Sequence, residues 1–327
     1  MSGVKCTDRK RTSLFSGVIL ALALLLSGCG DPAYDMAYDA DSSVSSFNVI
    51  SRQDSRVAEP FAANLCVVTG DVEGKNELSL TAEAAMLCDL NRNQVLYSKN
   101  PHESLNPASL TKIMTALVAI QNGRLDQVLT ATDSVNITER GAQLLGLKAG
   151  DTMTLDQALR ILLIYSANDV AMLVAEGVAG SVDAFVDMMN QEARQIGATN
   201  THFVNPHGLT AEGHLTTAYD LYLIFNEALK YETFREIIQM SSYQTTYYDA
   251  GGNPQTVDKK TTNLFLRGDR SAPSNVTVIG GKTGTTSAAG HCLVLLSRDA
   301  AGASYISVIL KSDDTLYEEM IKLLEEI

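Results

Sequence analysis

Residues 292–310 read CLVLLSRDAAGASYISVIL, two apolar runs separated by a polar link that contains glycine. The β-branched and other apolar residues of these runs predict two buried strands, Cys292–Ser297 and Tyr305–Leu310. A similar pattern occurs near the other end of the chain, where Ala84–Leu90 and Gln94–Ser98 flank an Asn-Arg-Asn turn and predict a hairpin. We therefore expect strands from both ends to share one sheet.

Between these strands the apolar residues follow a helical spacing. A further apolar run, Asn275–Ile279, predicts one more strand just before the C-terminal pair. The predicted helices cover residues 110–120, 155–163, 167–178, 182–196 and 218–229. This order predicts an α+β fold with an antiparallel sheet flanked by helices and a separate all-helical subdomain. The cleft between sheet and helical subdomain is the expected site.

Composition already excludes several classes of protein. The chain has 327 residues, of which 45% are hydrophobic, and a formal net charge of −13. The apolar content suffices for a core, which excludes a disordered chain. Nucleic acid is not an expected partner, since binding it requires clustered Lys and Arg. The five cysteines include no CxxC pair and give no zinc-ribbon or redox signature.

The N-terminus carries the features of a secretion signal. The basic triplet Arg9–Arg11 precedes Leu14–Leu26, an apolar run too short to span a bilayer. Leu-Ser-Gly-Cys follows at Leu26–Cys29 and resembles the bacterial lipoprotein box, in which the cysteine receives diacylglycerol. We expect residues 1–28 to be a lipoprotein signal peptide and Cys29 to be the lipidated first residue; an ordinary signal peptide is the alternative.

The remaining chain divides into a tether and a folded part. Residues 29–60 contain acidic and Ser-rich stretches without strand or helix periodicity, which predicts a flexible tether. Residues 61–327 form the expected folded domain. It contains Cys66, Cys88 and Cys292, an odd number, so at most one disulfide can form among them.

The first chemical motif is Pro-Ala-Ser-Leu-Thr-Lys at Pro107–Lys112, where the first strong helix opens. Residues three apart share a helix face, so Lys112 can reach the Ser109 hydroxyl. A desolvated lysine, or one crowded by another cation, can act as the base that activates a serine nucleophile. Alone, the spacing is weak evidence, because a serine at a helix start is more often a cap.

A second motif, Gly-Gly-Lys-Thr-Gly-Thr, precedes the strand at Cys292. Lys282 would supply a positive charge facing the cleft, and the hydroxyls of Thr283 and Thr285 would supply donors. Gly284 would let an extended ligand approach the backbone. Such a strand suits the carboxylate of a peptide; an exposed Gly-rich turn is the alternative interpretation.

A third requirement is a polar group from the helical side that relays protons and holds the substrate. The pattern Ser-x-Asn occurs four times, and the copy formed by Ser166 and Asn168 interrupts an apolar helical stretch. Polar side chains are costly to bury there unless they face a cleft. We therefore prefer this pair to Ser134 and Asn136, which follow a polar loop.

Together the three motifs, in this order, are those of penicillin-binding proteins and class A β-lactamases. From about Ala84 onward the sequence resembles the D-alanyl-D-alanine carboxypeptidases, the low-molecular-weight penicillin-binding proteins. The resemblance extends to Asn205–Leu209, Thr217–Leu221 and Lys282–Val294. Many members continue into a β-rich second domain and an amphipathic anchor, which are not expected here; lipid on Cys29 would replace that anchor.

The resemblance implies a serine-type carboxypeptidase that removes the terminal D-alanine of peptidoglycan stem peptides and binds β-lactams covalently. Ser109 would attack the carbonyl of the penultimate D-alanine, Lys112 would take its proton, and Ser166 would relay a proton to the leaving group. Asn168 would hold the acyl-side amide. The terminal carboxylate would bind Lys282 and Thr283, and the N–H groups of Ser109 and Thr285 would form the oxyanion hole.

The resemblance does not decide between a structural and a catalytic role for His207, which lies in the Asn-Pro-His-Gly-Leu motif. Thr285 stands where members often carry an aromatic residue or histidine, which implies an altered substrate fit. The implied location is the outer face of the bacterial cytoplasmic membrane. Neither metal nor cofactor is expected, because the histidines lack the ligand spacing of a metal-protease helix.

Three other functions remain open. A β-lactamase would share the nucleophile and both lysines, but the Glu-x-x-Leu-Asn loop that supplies the water-activating carboxylate of class A enzymes does not occur between Asn168 and Lys282. A lipoprotein that binds wall peptides without turning them over would not need the intact pair Ser109 and Lys112. A solute-binding lipoprotein would make all three motifs coincidental.

Overall fold

The computed structural model describes residue 62 and residues 64–327. The predicted signal peptide, Cys29 and the tether over residues 29–60 lie outside the described residues. The strands are β1 (Ala84–Asp89), β2 (Gln94–Lys99), β3 (Val128–Thr130), β4 (Thr152–Thr154), β5 (Ser242–Tyr248), β6 (Pro254–Lys260), β7 (Val276–Thr286), β8 (Gly290–Asp299) and β9 (Ser304–Ser312). The helices are α1 (Thr111–Asn122), α2 (Leu155–Ile164), α3 (Asn168–Ala179), α4 (Val182–Gln195), α5 (Ala218–Ala228), α6 (Glu232–Ile238), α7 (Leu264–Arg267) and α8 (Leu316–Leu324).

The main sheet is antiparallel and joins both ends of the folded part. Its strand order is β2-β1-β9-β8-β7, so the N-terminal hairpin pairs with the C-terminal strands through β1 and β9. This confirms the α+β fold expected from the terminal strands. β7 is longer than expected, since it continues through the Gly-Gly-Lys-Thr-Gly-Thr motif, and Lys282 pairs with Val294 of β8.

Both faces of this sheet are buried, which explains the unbroken apolar runs. In β8, Val294 packs into the large core formed with the helices of the central region, and its neighbours Leu293 and Leu295 pack into a second core. The second core includes Leu316 and Met320 of α8. Because side chains alternate across a strand, two covered faces require apolar residues at every position.

The central region contains the five predicted helices, α1 to α5, with bounds within two residues of those expected from the sequence. It also contains a second antiparallel sheet, β3-β4-β5-β6, that the sequence analysis did not predict. The helices α6, α7 and α8 were likewise not predicted. Within the described residues, no helix combines the length and the hydropathy that crossing a membrane demands.

The three cysteines of the described part, Cys66, Cys88 and Cys292, are buried free thiols. Cys292 lies within β8, where burial raises the pKa of its thiol to about 12. A thiol held in its neutral form is a poor nucleophile. Cys292 is therefore a buried residue of the sheet rather than a nucleophile.

Candidate active site

Ser109 lies in a single 3-10 turn, Ala108–Leu110, directly before α1. Ala108 has a φ of 47°, which places the residue before the serine in the left-handed region. Gly208 lies directly against this turn. The approach is so close that a Cβ at Gly208 would lie 1.9 Å from the Ala108 carbonyl oxygen. Backbone strain of this kind concentrates at functional sites and fixes a side chain in one direction.

Lys112 lies one turn further along and is fully buried. Its Nζ donates to Ser109 Oγ at 2.9 Å, to Asn168 Oδ1 at 2.6 Å and to the His207 carbonyl oxygen at 2.5 Å. Desolvation, strengthened by the charge of Lys282 and opposed by Asp169, holds the pKa of Lys112 well below its usual range. A lysine that loses its proton readily beside a serine hydroxyl can serve as that serine's base.

Ser166 and Asn168 occupy the break between α2 and α3. Ser166 has a φ of 70° and is buried, and Asn168 is the first residue of α3. Asp169 fixes this break, since its carboxylate accepts hydrogen bonds from the backbone N–H groups of residues 145, 146 and 147. The loop so held supplies the Gln143 carbonyl that accepts from the Asn168 N–H at 2.8 Å.

Lys282 reaches from β7 to this break. Its Nζ donates to Ser166 Oγ and to the Thr283 carbonyl oxygen, both at 2.8 Å. The side chain is only 1% exposed, and burial lowers its pKa to about 7. Lys282 therefore links the main sheet to the helical region at the serine that the sequence analysis selected.

Gly284 brings β7 against the nucleophile turn. A Cβ at this position would lie 2.9 Å from Ser109 N and 3.1 Å from the Ala108 Cβ, so only glycine permits the approach. The backbone of β7 and the N–H of Ser109 consequently lie close together. An oxyanion hole needs N–H groups that converge on one point, and the N–H of Ser109 is one candidate donor.

These side chains surround a cavity of about 450 Å³. Six of the eight chemical residues predicted from the sequence line it: Ser109, Ser166, Asn168, Thr283, Gly284 and Thr285. Lys112 and Lys282 themselves lie behind the wall. Ser134, from the alternative Ser-x-Asn pair, does not line the cavity. Its Oγ donates to the Glu176 carboxylate at 2.7 Å.

Thr262, His291 and Tyr317 are among the lining residues that were not predicted from the sequence as site residues. Thr262 Oγ1 lies 2.5 Å from Thr283 Oγ1, and His291 Nδ1 lies 3.2 Å from Thr285 Oγ1. Tyr317, at the start of α8, closes the same cavity. His291 lies in the Ala-Gly-His-Cys-Leu-Val stretch, which gave a signal for the family but not for a role, and the other two carry no local signal.

His207 has a structural environment. Its Nδ1 accepts a hydrogen bond from the Leu209 N–H at 3.1 Å, and its carbonyl accepts from Lys112. Burial and the charge of Lys112 lower the pKa of the imidazole to about 3. His207 is thus neutral in the folded protein, and it shapes the loop that positions Lys112.

Comparisons with known proteins show what this chain is similar to. A family model described as D-alanyl-D-alanine carboxypeptidase matches residues 71–314. The chain is 35% identical over 226 residues to the D-alanyl-D-alanine carboxypeptidase DacF of Bacillus subtilis, which covers 68% of this chain and 56% of that relative. It is 34% identical over 258 residues to DacC of Escherichia coli, which covers 75% of this chain and 61% of that relative.

The fold is also similar to solved structures. The crystal structure of the D-alanyl-D-alanine carboxypeptidase from Mycobacterium tuberculosis matches with a TM-score of 0.68 at 27% identity, covering 79% of this chain and 95% of that one. The matched segments span 56% and 61% of the two curated relatives described above, so the similarity concerns part of their length.

Proposed function

Because the chain belongs to the D-alanyl-D-alanine carboxypeptidase family, we propose that it is a serine-type D-Ala-D-Ala carboxypeptidase. Its substrates are peptidoglycan stem peptides that end in D-Ala-D-Ala, and β-lactams acylate the same serine. The observation that carries the proposal is the contact of Ser109 Oγ with Lys112 Nζ at 2.9 Å, with the pKa of that lysine held low by burial.

In the acylation step, neutral Lys112 takes the hydroxyl proton of Ser109 as Oγ attacks the carbonyl carbon of the penultimate D-alanine. Negative charge develops on the carbonyl oxygen, and the N–H groups of Ser109 and Thr285 donate to it. The approach of β7 at Gly284 supports this oxyanion hole, because a side chain at that position would press against the backbone N–H of Ser109.

The leaving D-alanine needs a proton on its nitrogen. Ser166 is suited to deliver it, since its hydroxyl lies against the cavity and receives a hydrogen bond from Lys282. Asn168 holds the acyl-side amide of the substrate, and the hydroxyl of Thr283 binds the terminal carboxylate with the charge of Lys282 behind it. Water then hydrolyses the acyl-serine.

A β-lactamase is disfavoured by the composition of the cavity wall. Among the described residues that line the cavity, none carries a carboxylate that could activate a water for rapid deacylation. We therefore expect a penicillin adduct to persist, as in a carboxypeptidase inhibited by the drug. A protein that only binds wall peptides remains the alternative, and it would form no adduct at all.

The test is intact mass spectrometry of the full-length protein after mixing with benzylpenicillin, followed by an assay for D-alanine release from a D-Ala-D-Ala peptide. A long-lived adduct on Ser109 and D-alanine release are expected. Ser109→Ala should abolish both, whereas the matched control Ser134→Ala should retain both. Rapid loss of the adduct with consumption of the drug would indicate a lactamase, and D-alanine release by Ser109→Ala would contradict the nucleophile assignment.

We further propose that the protein is anchored by lipid on Cys29 at the outer face of the bacterial cytoplasmic membrane. The support is the Leu-Ser-Gly-Cys sequence after a short apolar run, together with a substrate that occurs outside the cytoplasm. A diacylglyceryl group supplies two chains, which suffice for stable anchoring. Cys29→Ser should leave the precursor uncleaved and without lipid; a processed protein that still sediments with membranes would indicate another anchor.

A further inference from the structure

The cavity wall is poor in positive charge for a site that takes a carboxylate. Lys112 and Lys282 are buried behind the wall, where burial lowers the pKa of both, that of Lys282 to about 7, so Lys282 is only partly charged near neutral pH. Among the described residues that line the cavity, His291 alone has a side chain that can become a cation. It is one-third exposed, with 36% of the side chain accessible.

His291 sits between a hydroxyl inside the cavity and a carboxylate outside it. It pairs directly with Thr285 across strands β7 and β8, and its Nδ1 lies 3.2 Å from Thr285 Oγ1. Its Nε2 lies 3.2 Å from Asp314 Oδ1. An Asp carboxylate can only accept, so the Nε2 position carries a proton in either charge state of the ring.

The charge state of the ring therefore decides which way the Thr285 hydroxyl donates. In the imidazolium form both ring N–H groups donate, Nδ1–H points at Thr285 Oγ1, and the hydroxyl proton is free to donate into the cavity. In the neutral form Nδ1 has a lone pair and accepts from the Thr285 hydroxyl, which then presents oxygen lone pairs to the cavity. A bound carboxylate is attracted in the first case and repelled in the second.

We propose that His291 is a positioning residue for substrate carboxylates: in its protonated form, held by Asp314, it turns the Thr285 hydroxyl into a donor for the terminal carboxylate of the substrate. The inference rests on the proposed function and adds a residue that determines specificity. It predicts that carboxylate recognition is linked to protonation of one surface histidine, since histidine changes charge between about pH 5 and pH 8.

The other charged groups around His291 do not duplicate this role. On the β9 side, Lys311 Nζ pairs with the Glu83 carboxylate at 2.8 Å, and Asp313 accepts from the N–H and hydroxyl of Thr315. Within β7, Lys282 is directed at Ser166. Lys282 also titrates near neutral pH, so the test must compare variants rather than rely on one pH profile.

The test measures kcat and KM of the full-length protein for two peptides that differ only at the C-terminus, D-Ala-D-Ala with a free carboxylate and with a carboxamide. His291→Asn should raise KM for the free carboxylate about tenfold at about pH 5.5, the size of one charge-assisted hydrogen bond. At about pH 8.5 the ratio of variant to wild-type KM should approach one, because histidine side chains in general lose their charge between about pH 5 and pH 8. KM for the carboxamide and kcat should change less than about twofold.

Two further variants test whether His291 acts through the Thr285 hydroxyl. In a Thr285→Val background, His291→Asn should have no additional effect on KM, because the hydroxyl through which His291 acts is gone. The control His202→Asn alters an exposed histidine bonded to the Gly213 carbonyl, and it should leave both substrates unaffected.

A KM ratio that is the same at both pH values, or equal for both peptides, would overturn the inference and leave the proposed function intact. Wild-type protein that neither releases D-alanine nor forms a penicillin adduct would overturn both.

Discussion

Gly208 shows how much of the site depends on one missing side chain. Its φ is 88°, and an added Cβ would lie 1.9 Å from the Ala108 carbonyl oxygen and 2.8 Å from Thr111 Oγ1. Gly208→Ala must therefore push the nucleophile turn away from the loop that holds Lys112. We expect a loss of about 3 kcal/mol or more in the free energy of unfolding, together with acylation by benzylpenicillin slowed more than about tenfold.

Gly180→Ala is the matched control, because Gly180 has a similar φ of 80° but nothing within 4 Å of the added Cβ. It should cost only the left-handed backbone penalty, about 1 kcal/mol, and leave acylation unchanged. Chemical denaturation and adduct formation measure both quantities. Equal losses in the two variants would mean that backbone conformation, and not contact with Ala108, accounts for Gly208.

For single residues, the sequence predicts a place in the site only where the local geometry of neighbouring residues determines it. Lys112 could be paired with Ser109 because residues three apart share a helix face. Thr262 and His291 could not be found in this way, since each reaches the cavity through a contact with β7 that exists only in the folded sheet. The selection of Ser166 depended on the cost of burying a polar group in an apolar stretch, and the structure places that residue against Lys282.

Among the elements, the predictable ones are those with a strong apolar pattern. β8 and β9 are buried on both faces and appear as unbroken apolar runs, whereas the unpredicted β5 alternates exposed and half-buried residues along its length. The strands β3 and β4 have three residues each, too few for any period to be recognised. Short or half-exposed strands are defined by their partners, so a single sequence gives little evidence for them.

α8 was missed for a different reason. Its sequence is amphipathic, with Leu316, Met320, Leu323 and Leu324 buried against the main sheet. No helix was predicted in the stretch after the last strand, although continuous apolar strands imply that another element covers the second face of the sheet. The continuous apolar sequence of β8, which indicates burial on both faces, was thus the evidence for an additional helix.

For the molecule as a whole, the buried lysines of the candidate active site oppose folding. Burial lowers the pKa of Lys282 from 10.5 to about 7, so the unfolded chain binds this proton more tightly than the folded protein does. The resulting cost is fully present below about pH 7, and it is relieved as the pH rises from about 7 to 10.5, where the folded form of the lysine is neutral. The site that joins sheet and helical region therefore carries a stability penalty at neutral and acidic pH.

Lys282→Met should remove that penalty along with activity. The variant loses the hydrogen bonds to Ser166 and the Thr283 carbonyl, which offset part of the gain, so we expect the free energy of unfolding to rise by about 2 kcal/mol at about pH 6. Relative to wild type, this gain should shrink towards pH 10. The control Lys230→Met replaces an exposed lysine, so the free energy of unfolding should change little at either pH. Urea denaturation at both pH values measures the difference. A variant that is destabilised equally at both would show that the hydrogen bonds of Lys282, rather than its desolvation, dominate, and that catalysis and stability do not conflict at this residue.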